Sequence, residues 1–185
     1  MKKIIFMLSA LAVFLPMFST SAAAPVNKTV LQNKVTLNRM LTTFSELRDA
    51  KIRLVPAFAV ELTGEGQIEE PRVATYNTKT GTIFVQQDMN PFLFQETVIH
   101  EYCHHIDFSM LEKWQWERWM RLWYEHPNHV SEYSRVSPAE SFAEWCSVYK
   151  YEQTSWKTYS GVEVVFNSPQ AKFMDTIYPK YRKPQ

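Results

Sequence analysis

The sequence predicts a single α+β domain: an amphipathic helix, a small sheet, then several further helices. Three observations carry this. A chain of 185 residues supports one substantial core and is short for two domains. Apolar residues recur at helical spacing near the start and through most of the second half, while strand-like patterning is confined to the stretch between. Only Cys103 and Cys146 are available for cross-linking, so packing rather than a disulfide framework must hold the domain.

Ahead of the first helix, Lys2 and Lys3 precede an apolar run over residues 4–18, and Ser-Thr-Ser-Ala-Ala-Ala-Pro supplies small residues. That order describes a secretory signal peptide over residues 1–24, cleaved after Ala23 or Ala24. The rival reading, a retained membrane anchor, suits it less well, because the run is short, contains Pro16 and ends in a processing-like site. The mature protein is therefore expected to be secreted, without stable membrane insertion, and to act as a monomer.

Residues 26 to about 50 place Val30, Leu31, Val35, Leu37, Leu41, Phe44 and Leu47 at helical spacing, so one amphipathic helix is expected there. Residues 51–62 alternate and read as a strand in which Pro56 forces an edge or a break. Two short strand-like runs in residues 72–85 flank Asn77-Thr78-Lys79-Thr80-Gly81, a hairpin signal. Asn90 as cap and Pro91 as first helical residue start a helix that runs to about Met110. The stretch 111–126 is a second helix, with Trp116, Trp119, Met120 and Trp123 as a core stripe. After a loop, Ser137-Pro138 opens a helix to about Tyr151, and Ser168-Pro169 opens a short last one towards Tyr178.

The chemistry concentrates in Val-Ile-His-Glu-Tyr-Cys-His-His-Ile-Asp, residues 98–107. His100 and His104 are four apart, about 40° around a helix axis, so both imidazoles can aim at one ion. Glu101, about 100° from His100, can reach a water on that ion without binding the ion. Two nitrogen ligands, an open position and an adjacent carboxylate are the zincin arrangement, and a chance match in a chain this long arises on the order of one time in a hundred. The bland alternative is two satisfied core histidines with no metal.

A catalytic zinc needs a third protein ligand. Asp107 and Met110 stand where the extended metzincin pattern requires Gly and His, which excludes that class. His105 points about 100° away from His104 and is expected to face solvent or a neighbouring helix, while His126 and His129 sit in a loop. Glu140 and Glu144 repeat the four-residue spacing, so a second helix can present two carboxylates to the histidines. Ser137 and Glu140 also fit a capping box, and spacing alone leaves open which glutamate is the ligand. Asp107, nearly on the His100 face, either supports a ligand or caps the helix exterior. For the cysteines, helical angles favour two buried free thiols over a bridge.

The segment from residue 98 to 149, and above all Val-Ile-His-Glu-Tyr-Cys-His-His-Ile-Asp-Phe followed by Tyr-Ser-Arg-Val-Ser-Pro-Ala-Glu-Ser-Phe-Ala-Glu-Trp, resembles the anthrax lethal factor catalytic domain and the small secreted Pro-Pro endopeptidases. The resemblance implies a single zincin-like metallopeptidase domain over residues 25–185. It implies Glu140 as the third Zn2+ ligand, Glu144 as an acid orienting a histidine, and Tyr133 as oxyanion donor, with Glu101 as general base. It also implies a peptide substrate extended along an edge strand, expected at Thr82–Gln86 from its order in the chain. Residues 72–88 contain no Trp to form an aromatic wall for prolines, so cleavage between prolines is only suggested.

The near-neutral charge, with both signs interspersed, argues against nucleic acid as a partner and leaves a protein or peptide substrate. Nitrogen ligands with one carboxylate favour zinc over other divalent ions. Two rival functions stand beside endopeptidase activity: a zinc-stabilised binding module without turnover, and a metallohydrolase acting on cell-wall peptides. Intact Glu101 argues against the first, since a retired enzyme needs no base.

Overall fold

The computed structural model describes residues 27–57, 73–151 and 167–178, and the signal peptide expected over residues 1–24 lies outside them. Helix α1, Lys28–Thr43, starts where the Asn27 side chain accepts from the Thr29 N–H. It stops at Phe44, and a 3-10 helix, Ser45–Asp49, follows, so the one helix expected over 26–50 is two. Its buried side also differs from the expected one. Leu31 and Val35 are exposed, while Asn33 and Met40 are buried. Asn33 donates from Nδ2 to the carbonyls of Gln87 and Met89, and this pins α1 to the loop ahead of the histidine helix.

Strand β1, Lys51–Val55, ends at Pro56, so the described strand is shorter than the 51–62 run. β2, Ala74–Asn77, and β3, Thr82–Gln86, form the expected hairpin. In its turn Asn77 Oδ1 accepts from the Thr80 N–H, and Gly81 takes φ +62°, a left-handed conformation that favours glycine. The sheet order is β1-β3-β2, with β1 parallel and β2 antiparallel to β3. Ile83 and Val85 alternate on β3 and are fully buried.

Helix α2, Pro91–Met110, has Asn90 accepting from the Phe92 N–H and Pro91 in its first turn, as expected. α3, Lys113–Glu125, begins with a Glu112–Gln115 capping box. A short 3-10 turn, Tyr133–Arg135, leads to α4, Pro138–Tyr151, and α5, Pro169–Ile177, follows with Ser168 as its cap. Phe94, Val98 and Ile99 of α2, Trp119 of α3, Phe142 and Trp145 of α4, and Phe173 and Met174 of α5 are fully buried in one core. In the tryptophan stripe only Trp119 is fully enclosed, while Trp116 and Trp123 are half-buried.

The cysteines depart from expectation. Cys103 and Cys146 form a disulfide joining α2 to α4. Angles measured from the ligand positions treated each helix contact as a narrow seam. The α2–α4 interface is instead the most extensive helix–helix contact in the molecule, and Ala143, fully buried, lets the backbones approach. Cys146, on another side of α4 from the Glu140–Glu144 face by helical angle, still comes within 5.9 Å of Cys103, Cα to Cα.

Candidate metal centre

Two helices supply the site. From the middle of α2, His100 and His104 turn one way, and their rings lie 4.8 Å apart between centroids. From the first turns of α4, Glu140 and Glu144 face them. Glu140 Oε2 lies 2.9 Å from His100 Nε2 and 3.1 Å from His104 Nε2, and Glu144 Oε1 lies 2.8 Å from His100 Nδ1. The two glutamates, equivalent by spacing, thus differ by the atoms they meet.

The capping-box rival for Glu140 is half realised. Ser137 Oγ accepts from the Glu140 N–H, but the Glu140 carboxylate turns to the histidines. The cap sets the backbone and leaves the carboxylate for the cluster.

One donor atom from each of His100, His104 and Glu140 falls within 4.8 Å of the others, the group among the described residues able to hold a metal ion. The separations from Glu140 are close to the roughly 3.3 Å edge of a tetrahedron with zinc-like bond lengths. Two imidazoles and one carboxylate also leave a fourth position open. The donor set therefore fits a divalent ion of the zinc type.

The four side chains are also electrostatically coupled. Burial works to lower the His100 pKa, yet hydrogen bonds to Glu140 and Glu144 outweigh it and carry it up to about 10. Burial works to raise Glu140, and the two histidines instead hold it well below the carboxylate range. Glu144 is likewise lowered against its burial, by His100 and by a hydrogen bond from the Ser131 side chain.

Glu101 makes no contact of this kind with the Glu140 cluster. It is buried, which raises its pKa, while His104 and His100 pull the other way and the Tyr76 backbone N–H hydrogen-bonds its carboxylate. Asp107 is buried at 6 % exposure, which rules out the helix-exterior cap. Burial, then Glu140, push its pKa up to about 8, and its Oδ2 has no hydrogen-bond partner. His104 Nδ1, one turn before it, is also buried without one. Tyr133 stands at the open side, 46 % exposed, its ring 5.6 Å from that of His100.

The other histidines stay apart. His105 faces the sheet, with Nδ1 3.3 Å from the Tyr76 hydroxyl. His126 is exposed at the end of α3, and His129 packs near Trp123.

The expected substrate strand needs correction. β3 is the central strand, paired on both sides, so it has no free edge. A parallel β1–β3 pairing links segments far apart in sequence, and nothing local announces it. Among the described residues β1 and β2 are the edge strands, and β2 is the one that packs on α2. The Gln86 N–H bonds the Val73 carbonyl, so in antiparallel alternation residues 73, 75 and 77 turn towards β3, and Ala74 and Tyr76 turn outwards. The outward N–H of Tyr76 is the one that meets Glu101.

Sequence reasoning missed three neighbours of the site. Phe108, 54 % exposed, lies 6.1 Å from His104 and stacks 6.2 Å from Tyr76. Ser131 supports Glu144. Glu96, half-buried, has its pKa raised by burial and by Glu144. Extending the four-residue step from His100 and His104 in both directions reaches Glu96 and Phe108, a signal available in the sequence. Ser131 had no such signal.

Comparison with protein-family models, with curated proteins and with solved structures finds no match to this chain.

Proposed function

We propose that this chain is a secreted zinc endopeptidase of the zincin type, resembling the lethal factor catalytic domain and the Pro-Pro endopeptidases, and acting on extracellular, surface or host proteins. One observation carries the reading: a single Glu140 oxygen meets Nε2 of both histidines, while neighbouring Glu101 stays out of that cluster and bonds the edge strand. His100, His104 and Glu140 are the ligands in this reading. Zn2+, when bound, supplies Lewis-acid polarisation of a carbonyl and a lowered pKa for water.

The remaining work belongs to the chain. Glu101, with a carboxyl whose proton affinity is raised by burial, takes a proton from the attacking water and returns it to the leaving amine. Tyr133 donates its phenolic hydrogen to the oxyanion. Glu144 holds His100 by Nδ1, which keeps Nε2 aimed at the ligand position. Asp107 sits one turn beyond His104 and serves the same end of the site.

An extended peptide adds to the outer edge of β2, making main-chain hydrogen bonds with Ala74 and with the Tyr76 carbonyl and passing between the exposed rings of Tyr133 and Phe108. Support for export comes from the leader-like N-terminus and from the disulfide, a bond that persists in oxidising compartments.

The test is cleavage of a peptide library by zinc-loaded protein, with and without chelator, beside Glu101→Ala. The variant is expected to keep stoichiometric zinc and lose activity by about a hundredfold or more. Equal cleavage by the variant would sink the mechanism, and zinc binding without cleavage by the unaltered protein would favour the non-catalytic module.

A further inference from the structure

Every side chain of the metal cluster comes from α2 or α4, and the one covalent link between those helices lies close to the cluster on both. Cys103 sits between His100 and His104 on α2, and Cys146 lies two residues beyond Glu144 on α4. The distance from Glu140 to the two histidines is set by how these helices seat on each other. The tie lies within a turn of both histidines on α2 and under two turns beyond Glu140 on α4, so it fixes that seating close to the cluster.

The bridge is fully buried. Ser147 Oγ lies 3.8 Å from Cys103 Sγ, and the Tyr178 hydroxyl donates to Cys146 Sγ at 3.1 Å. Each sulfur therefore has one hydroxyl neighbour, and the link is buried within the interface. The 43-residue separation it closes also encloses α3 and the turn carrying Tyr133.

We infer that the Cys103–Cys146 bridge is a positioning element of the metal centre, and that metal affinity depends on the oxidation state of this pair. The inference rests on His100, His104 and Glu140 being the ligands. With the bridge formed, Glu140 stays in register with both imidazoles. As two thiols, the helices are free to shift against each other, and the site binds metal more weakly. Metal capture is thereby coupled to arrival in an oxidising compartment.

Zn2+ affinity is the readout, by competition with a chromophoric chelator at 25 °C. Three forms are compared with the oxidised protein: wild type reduced by a phosphine and desalted without air, Cys103→Ala/Cys146→Ala, and Phe173→Leu. The phosphine gives two electrons to the disulfide, two protons complete the thiols, and the phosphine leaves as its oxide with oxygen from water. Phe173→Leu loosens the core from α5, away from the cluster, and controls for lost stability alone.

The reduced form and the double variant are expected to bind Zn2+ about ten to a hundredfold more weakly, the range for losing a group that positions a ligand. Phe173→Leu should bind as wild type. If the double variant does not fold, the reduced wild type, which keeps both sulfurs in place, decides. Equal affinity within about twofold, tighter binding by the thiol form, or equal weakening in Phe173→Leu would overturn the inference. Absence of zinc binding by the oxidised protein would overturn the ligand assignment with it, whereas equal binding in both redox states leaves that assignment standing.

Discussion

His100 meets a carboxylate with each ring nitrogen, and an imidazole can donate from both only when protonated. In the metal-free protein His100 is therefore protonated between its two glutamates, and in the proposed reading metal binding at Nε2 displaces that proton. At pH 7, calorimetry in buffers of different ionisation enthalpy should show about one proton released per Zn2+ bound. Stability carries the matching sign. A histidine whose folded pKa is raised to about 10 contributes stability fully below its unfolded value and loses it as pH rises towards 10. Asp107, raised to about 8, weakens the fold as pH climbs from its unfolded value, so the two act together. Thermal melts of chelated protein should fall between pH 7 and 10, and zinc-loaded protein should fall less. A flat metal-free profile would contradict this. Tyr133→Phe should cut kcat about a hundredfold and leave zinc affinity unchanged, since only the hydroxyl is lost. How far these residues were legible is uneven. Two histidines at helical spacing announce themselves, whereas the choice between Glu140 and Glu144 turns on about 40° of rotation, which only the seating of two helices resolves.

At the scale of elements, α2 was readable to the residue because Asn90 and Pro91 are strong local signals that nothing tertiary opposes. Asn90→Ala should cost about 1 kcal/mol, measurable by denaturant unfolding, because the Phe92 N–H loses its acceptor. The sheet was only half readable. Its hairpin is local, but β1 joins it by a parallel pairing, and that pairing converts β3 from edge to centre. The correction has a measurable consequence. Peptides N-methylated at alternate positions across the cleaved bond should lose affinity in one register and not the other, as expected for main-chain bonds to the outward-facing Ala74 and Tyr76. The α2–α4 disulfide escaped sequence reasoning for a related reason: a helix interface more than 100° wide admits residues that angular bookkeeping from the ligands places on another side.

Across the whole molecule, Lys150 joins parts that no motif connects. Its side chain is 5 % exposed, Nζ lies 3.3 Å from Glu46 of the first 3-10 helix, and it rests 5.7 Å from the Tyr102 ring and 5.2 Å from the Tyr178 ring. Burial lowers its pKa, and Glu46 opposes that shift. Lys150→Ala should destabilise the fold by about 2 to 3 kcal/mol, seen as a lower Tm, because it strands Glu46 and opens a gap between two rings. No sequence pattern predicts this contact, since a lysine on a helix is ordinarily solvated. The tryptophans invite a last thought. Trp119, Trp123 and Trp145 donate their indole N–H groups to the carbonyls of Pro138, Ser134 and Asn128, all in or beside the segment that bears Tyr133. Three indoles thus act as guy-lines on that segment. The protein carries its own optical gauge: a peptide bound beside Tyr133 should alter tryptophan emission without any dye or tag.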